Sequence, residues 1–396
     1  MLLQHKQVAI IGGGPGGLTL ARLLQQQGVA VTVYERDATP HARPQGSPLD
    51  LHHDTGLKAL AAANLLEEFK QQYRPGADKM RIVNSQLEVL LDDHAEPANL
   101  GFGDEHFRPE IDRGPLRDLL MASLREGTVV WNARFIDMQP AGAGWEIRFE
   151  KGARAYADVV IAADGANSKV RKYLTDAQPV YAGTTFLEGN IPQAQQQVPA
   201  LWQLVQGCSL FALENGQFVS FLVKGDGSLI FWIWLQKPED WLATSGIDFT
   251  NRAAVATWFQ QEFRTWSPQW QQLFASDSLP LVPRRAYYYP QDQPWPSQPN
   301  LTLLGDAAHQ MPPNGEGVNQ AMADALDLYE ALCKEPFDTI KQAIVSFEQK
   351  MGKRVAQVAA DTRQLLEMMH AENNQQLFLD FFGSVAAAHT HPEATS

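Results

Sequence analysis

The chain has 396 residues, 44% of them hydrophobic and 19% charged, with a net charge of -13 at pH 7. That length holds two or three domains, or one large domain carrying an insertion, and the composition is that of an ordinary globular protein. The acidic balance and scattered basic residues argue against nucleic acid as a partner and against an anionic membrane surface.

Cys208 and Cys333 are the only cysteines. Two distant thiols give no disulfide framework and no metal-binding pair, and they fit a reducing compartment. The chain enters its first strand within eight residues, leaving no room for a signal peptide, and no apolar run reaches membrane-spanning length. A cytoplasmic protein without membrane insertion or bound metal is expected.

Val8 to Ile11 is a short, partly β-branched run that reads as a buried strand. Gly12-Gly13-Gly14-Pro15-Gly16-Gly17 follows, then a helical pattern from Leu18 to Leu24. In this Gly-x-Gly-x-x-Gly turn Gly12 permits the tight turn, Gly14 lets backbone approach a pyrophosphate, and Gly17 lets helix and strand pack closely. The helix start, with its free N–H groups and positive dipole end, would face the phosphates. A second strand, Val29 to Tyr34, ends in Glu35, whose carboxylate can accept hydrogen bonds from both hydroxyls of an adenosine ribose. Which dinucleotide binds is left open by these residues alone.

The polar stretch Asp37 to Pro48 reads as a loop, followed by Leu49-Asp50-Leu51-His52 and a helical pattern from Thr55 to about Phe69. Alternation between Lys79 and Leu91 predicts a hairpin. An amphipathic helix is expected around Leu116 to Leu124, with Pro115 in its first turn. Strands are expected at 129–131, 135–138, 145–149 and 153–156, and Asp158 to Ala163 forms another buried strand ending at Asp164-Gly165.

From about Thr175 to Ala275 the composition shifts toward tryptophan, with strand-like runs at 209–213, 218–223 and 229–235 and a helix near Ala253 to Phe263. This reads as a mostly antiparallel sheet that could roof a ligand cavity, although its aromatics could equally be core. The chain then returns with a buried strand at Asn300 to Leu304, a turn at Gly305 to His309 and a helix from Val318 to Leu332. A long helix over about Thr339 to Met369 and a small, polar tail from Ala386 complete it.

Three segments thus share one design, an apolar strand ending in a Gly/Asp turn: Gly12 to Gly17, Asp164-Gly165 and Gly305-Asp306. A dinucleotide lying along the carboxyl ends of parallel strands needs such a set, because there backbone N–H groups are free and an aspartate can hold a sugar hydroxyl.

Together with Glu35-Arg36, Ala163 to Arg171, and Gly305 to Asn319, these segments resemble the three fingerprints of the group A flavoprotein monooxygenases, the family of para-hydroxybenzoate hydroxylase. Within that family the chain is similar to the tetracycline-inactivating flavin monooxygenases. That similarity rests on Leu49 to His52, Pro109-Glu110-Ile111 with Arg113, Leu116-Arg117, Ser168 to Lys172, Lys237 to Trp241 and Met311-Pro312-Pro313.

The resemblance implies an α/β fold: a Rossmann-like, glutathione-reductase-type FAD domain with an inserted antiparallel β-sheet substrate domain and a C-terminal helix. The expected divisions are 1–174 for the first part of the FAD domain, with part of the substrate sheet near 79–110. The substrate sheet follows at 175–280, the rest of the FAD domain at 281–335, a helical segment at 336–385 and a disordered tail at 386–396. FAD would be held by Gly12, Gly14, Pro15, Gly16, Gly17, Glu35, Arg36, Asp50, Arg113, Arg117, Asp164, Gly165, Gly305 and Asp306. Pro313, Gly315, Gly317, Val318 and Asn319 would line the isoalloxazine. Arg43 and the Asp164-Gly165 turn match contacts of the nicotinamide cofactor. Arg113 could instead pair with Asp112 or Glu110, Asp50 could form a turn, and His309 and Glu316 read as packing or turn residues.

The implied reaction is hydroxylation of a planar aromatic or polycyclic molecule using O2 and NADPH or NADH, through a C4a-hydroperoxyflavin. It requires no catalytic side chain, and a monomer is expected. Set against the tetracycline-inactivating enzymes, Glu188, Ser209, Ile230 and Trp232, with Pro313, would face the substrate. A cation is lost there and an indole gained, which argues against tetracycline itself. Dehydrogenation or epoxidation without aromatic hydroxylation is an alternative reaction for the same site, and two further readings keep the fold. One is a flavin-dependent halogenase, resembled by Trp232-Ile233-Trp234 without the Ile-Pro that should follow. The other is a flavoprotein that binds a ligand without catalysis.

Overall fold

The computed structural model describes residues 2–42, 46–94, 100–274, 281–291 and 295–390. Two compact units divide the chain, one made of Met1–Tyr73, Leu100–Val180 and Tyr287–Ala360, the other of Arg74–Asn99, Tyr181–Ala286 and Asp361–Ser396. Residues 281–286 and 361–385 therefore fall with the second unit.

Among the described residues of the first unit, five parallel strands lie in the order Leu301–Leu303, Val159–Ala162, Gln7–Ile11, Ala30–Tyr34 and Val129–Val130. Val8 to Ile11 and Val159–Ala162 are buried throughout. This is why they read as continuous apolar runs rather than alternating ones. Chain order grows outward from Gln7–Ile11 in one direction and then in the other. The direction changes between that strand and Val159–Ala162, the place where an open parallel sheet takes its ligand.

Helix Pro15–Gln26 packs against helix Gly317–Cys333, and at their contact a Cβ on Gly16 would lie 2.8 Å from the Ala321 carbonyl oxygen. Helix Arg113–Ala122 has Pro115 in its first turn and buries Leu116, Leu119 and Leu120. A two-stranded ladder pairs Leu49–Asp50 with Glu110–Ile111, and a three-stranded antiparallel sheet joins Phe135–Ala141, Gly144–Phe149 and Arg154–Ala157.

The second unit carries a seven-stranded sheet among its described residues, in the order Val282–Tyr288, Val180–Ile191, Leu229–Gln236, Gln217–Val223, Ser209–Glu214, Met80–Val83 and Val89–Asp92. All pairings with a defined register are antiparallel except Ser209–Glu214 with Met80–Val83. Leu229–Gln236 is buried along seven successive residues because both of its faces are covered. Leu229, Phe231, Ile233 and Leu235 pack with Val255, Phe259 and Trp270 of the segments after the sheet. Ile230, Trp232 and Trp234 share a cluster with Leu366, Met369 and Phe378 of the C-terminal helices. The buried indoles are satisfied, Trp270 Nε1 donating to the Ser85 carbonyl at 2.7 Å and Trp266 Nε1 to Gln217 Oε1 at 2.7 Å.

Differences from the sequence expectations are local. Gly305 to His309 is not only a turn: Asp306–His309 closes one helical turn. Between strands Val180–Ile191 and Ser209–Glu214 lie two short helices, Ala194–Gln197 and Pro199–Val205, that no apolar period announces. Helix Asn374–Thr390 carries regular backbone past Ala386, where small polar composition alone predicted disorder; residues 391–396 lie outside the described residues. No described helix is long and apolar enough to cross a membrane.

Candidate functional site: a dinucleotide cradle in the first unit

The sheet brings the three Gly/Asp turns side by side. Gly12 N–H donates to the Tyr34 carbonyl at 2.9 Å, Ala163 N–H to Ile11 at 2.7 Å and Leu304 N–H to Ala162 at 2.9 Å. The ladders therefore run to the last residue before each turn, and the turns leave the sheet from one edge. Gly12 has φ +111°, and a Cβ there would stand 2.2 Å from the Ala163 carbonyl oxygen. Only glycine permits that backbone and that approach. A Cβ on Gly17 would meet the Gly12 carbonyl at 2.3 Å, so Gly17 seats the helix on the strand. A Cβ on Gly14 would have no atom of the described protein within 4 Å, so this flank is open to a ligand. No side chain among the described residues caps helix Pro15–Gln26, whose N-cap is Gly14, which leaves its first-turn donors facing outward.

Glu35 is buried and accepts two backbone donors, Gly13 N–H at 2.7 Å on one oxygen and Asp37 N–H at 2.9 Å on the other. Each oxygen keeps a further lone pair for a diol. Arg117, also buried, donates to the Gly13 carbonyl at 3.2 Å and the Pro40 carbonyl at 2.6 Å, lies 3.6 Å from Asp37 and stacks over Trp131. It braces the glycine loop and the Glu35 hinge through protein atoms. Pro15 opens the helix, and Arg36 is exposed. Arg43 lies outside the described residues.

The other end of the cradle is built by Asp164, Asp306, Asp50, Arg113 and the loop before helix Gly317–Cys333. Asp164 accepts Lys169 N–H at 2.9 Å with one oxygen; its other oxygen is buried without a partner among the described residues. Burial raises its pKa, against the hydrogen bonds from Ser168 and Lys169. Gly165 beside it has φ +80°. Asp306 is exposed in a recess at the Gly305 turn, where surrounding protein raises its pKa against the opposing pull of His309 and Arg113. A Cβ on Gly317 would lie 3.9 Å from Asp306, and one on Gly315 3.6 Å from Asp50. Pro313, Gly315 and Gly317 are exposed, Val318 and Asn319 buried. The Asn319 amide is spent inside the protein, donating to the Asp50 carbonyl at 2.9 Å and accepting His52 N–H at 2.9 Å. Helix Gly317–Cys333 also starts without a side-chain cap among the described residues.

A long ligand with a diphosphate fits this donor set: an open flank at Gly14, two uncapped helix starts, an unmatched Asp164 oxygen and an exposed aspartate. Residues 5–361 match the family described as "FAD binding domain". This chain belongs to that family. A curated relative, "Monooxygenase asqM" of Emericella nidulans, is 28% identical over 379 residues, covering 82% of this chain and 83% of the relative. "3-amino-4-hydroxybenzoate 2-monooxygenase PtmB3" of Streptomyces platensis is 27% identical over 377 residues, 93% of this chain and 90% of its own. Klebsiella pneumoniae HpxO, solved with FAD and uric acid, superposes with a TM-score of 0.74 at 20% identity, over 96% of this chain and 93% of that one. Tetracycline destructases Tet(51) and Tet(55) share the fold at 16% identity, with TM-scores of 0.65 and 0.70. The protein is an FAD-dependent monooxygenase of the aromatic hydroxylase type.

Several residues of this FAD-binding unit escaped the sequence reading. His52 Nε2 lies 2.8 Å from Asp50, and its Nδ1 lies 3.2 Å from Glu316. Burial opposes its charge, but the two carboxylates outweigh burial and push its pKa up to about 9. Arg171 donates to the Ala307 and Ala308 carbonyls at 3.0 and 2.6 Å and lies 3.6 Å over the Tyr289 ring, pinning the turn that carries Asp306. Asp324, fully buried, accepts from His309 Nε2 at 2.7 Å, Gly305 N–H at 2.7 Å and Arg354 at 2.6 Å. His309 thus holds the turn. A signal for this network existed: Gln320, Asp324 and Asp327 recur at helical spacing in a mostly apolar helix.

In the second unit, Glu188, Ser209, Ile230 and Trp232 share one face of the sheet. Glu188 pairs in register with Trp232, and Ile230 and Ser209 both pair with Leu222. Glu188 accepts from the Trp232 indole at 3.3 Å and from Arg284 at 3.3 Å. Trp234 donates to Ser220 at 2.9 Å.

Proposed function

We propose that this flavoprotein hydroxylates a planar aromatic small molecule, taking electrons from NADPH or NADH and one oxygen atom from O2. The observation that carries the proposal is the convergence of the Gly12, Asp164 and Gly305 turns at one edge of the parallel sheet, beside Glu35. FAD, when bound, supplies electron storage and oxygen activation. Glu35, fixed by its two backbone donors, would accept the ribose hydroxyls, and the helix start after Gly14 would face the diphosphate. Asp164-Gly165, Asp306, Asp50 and Arg113 would serve the middle and the flavin half, with Pro313 to Asn319 against the ring. The positive end of helix Gly317–Cys333 would favour negative charge on a ring held there. No side chain need act as acid or nucleophile; the protein binds, orients and excludes water.

The name of the Streptomyces platensis relative, an aminohydroxybenzoate monooxygenase, supports an aromatic substrate. On the sheet face shared with buried Ile230 and Trp232, the partly exposed Glu188 and Ser209 would offer hydrogen-bonding groups to the substituents of such a ring. Incubation of the purified protein with NADPH, 18O2 and a panel of hydroxylated and amino-substituted benzoates, indoles and polycyclic phenols tests this by mass spectrometry. One labelled oxygen in a panel compound is expected. NADPH consumption that yields only hydrogen peroxide with every compound rejects the aromatic hydroxylase reading.

A further inference from the structure

We infer that His52 is a positioning residue: clamped between Asp50 and Glu316, it ties the Leu49–Asp50 strand to the loop before helix Gly317–Cys333 and thereby sets the backbone on which FAD would rest. This rests on the placement of the flavin half proposed above. Asp50 and His52, two apart at the end of the strand, turn their side chains to the same side, and His52 Nε2 reaches Asp50 at 2.8 Å. Its Nδ1 reaches Glu316, the N-cap position of the helix, at 3.2 Å. The backbone completes the clamp, with His52 N–H and the Asp50 carbonyl both held by Asn319 at 2.9 Å. A single imidazolium thus bridges two chain segments more than 260 residues apart. Both contacts are charge-assisted and shielded, His52 having only 15% of its side chain exposed.

Other charged and polar groups surround this bridge. Arg108 stabilises the Asp50 carboxylate through its charge. Gln320 donates to Glu316 at 3.2 Å and is itself held by Arg354. His53 and Asp54 pair with each other at 2.8 Å, with side chains 43% and 83% exposed. Burial pushes Asp50 and Glu316 up, but His52 outweighs it and holds both below their ordinary values. The sign follows. The contribution of His52 is complete below its ordinary pKa of about 6.5 and is lost as pH rises through about 9. The carboxylates contribute above their ordinary values and lose their part as pH falls through the lowered ones.

The test is FAD affinity, read by quenching of FAD fluorescence on the apoprotein from near neutral pH to alkaline pH, with melting temperatures measured alongside. Wild type is expected to weaken by about tenfold, the equivalent of one pKa unit, as pH passes about 9. His52→Gln should already be about tenfold weaker near neutrality and flat with pH, while His52→Lys, which stays charged to about pH 10.4, should move the weakening upward. If His52→Gln does not fold, Glu316→Gln should weaken binding severalfold and shift the alkaline loss to lower pH. Wild-type affinity and an unchanged pH profile in either folded variant overturn the inference, as does a loss confined to melting temperature. FAD binding with this profile but without labelled product would sink the hydroxylase reading and leave the clamp standing.

Discussion

Gly12 and Gly14 sit two residues apart and answer to different demands. A methyl group on Gly12 meets the Ala163 carbonyl at 2.2 Å on a backbone of φ +111°, so Gly12→Ala should cost at least about 1–3 kcal/mol from the backbone alone, before the overlap is relieved. A methyl group on Gly14 meets no atom of the described residues within 4 Å. Gly14→Ala should therefore leave the melting temperature of the apoprotein unchanged while weakening FAD binding, a split that calorimetry and fluorescence titration read separately. Equal loss of stability in both variants would contradict this division. Asp324→Asn belongs to the same scale. It strips a buried carboxylate from His309, Gly305 and Arg354 and should destabilise by about 3–5 kcal/mol in denaturant titration. Burial pushes Asp324 up, but His309 and Arg354 outweigh it and hold it below the usual carboxylate range. Its contribution is present above that range and lost as pH falls through the lowered value, so the variant should show a shallower acid limb than wild type.

At the scale of elements, helix Ile340–His370 is held by polar anchors as much as by its apolar stripe. Glu348 accepts from the Trp295 indole at 3.0 Å, the Ser297 hydroxyl and the Thr302 hydroxyl at 2.8 Å, fastening the helix beside strand Leu301–Leu303. Glu348→Leu leaves those donors unmatched and should cost about 1–3 kcal/mol, measured as a fall in denaturation midpoint. In the second unit Phe378 is 1% exposed and packs on Phe218, Phe382 and Phe211 at 5.4, 5.8 and 6.3 Å between ring centres. Phe378→Ala should destabilise by about 3–5 kcal/mol in the same assay.

Elements of this kind were unevenly legible in the sequence. Val8 to Ile11, Val159–Ala162 and Leu301–Leu303 could be read because burial on both faces makes a strand a plain apolar run. Helix Asn374–Thr390 was legible only to residue 385, since the small residues from Ala386 onward carry no apolar period that would extend it. The short helices near Ala194 and Pro199 depend on the sheet beneath them rather than on their own periodicity.

For the molecule as a whole, the legible part of the site was its backbone. Glycine and aspartate at strand ends announce turns with few alternatives, and the sheet order then sets the three turns together. What stayed hidden were side chains that act across long sequence separations: His52 to Glu316, Arg171 to Ala308, and His309 to Arg354 through Asp324. Each charged side chain alone looks like a surface group, and only the fold gives it a neighbour. The proposed substrate face is least legible of all, because a residue such as Trp232, bonded to Glu188 inside the sheet, looks the same in sequence whether it packs or recognises a ligand.

Anaerobic absorption spectroscopy of the purified protein tests the central claim most directly. The protein should carry flavin, lose its visible absorption when NADPH or NADH is added, more quickly with an accepted aromatic compound present, and regain it on admission of O2. A colourless protein that takes up no FAD on incubation, or a flavin that neither nicotinamide cofactor reduces with any compound of the panel, would contradict the account.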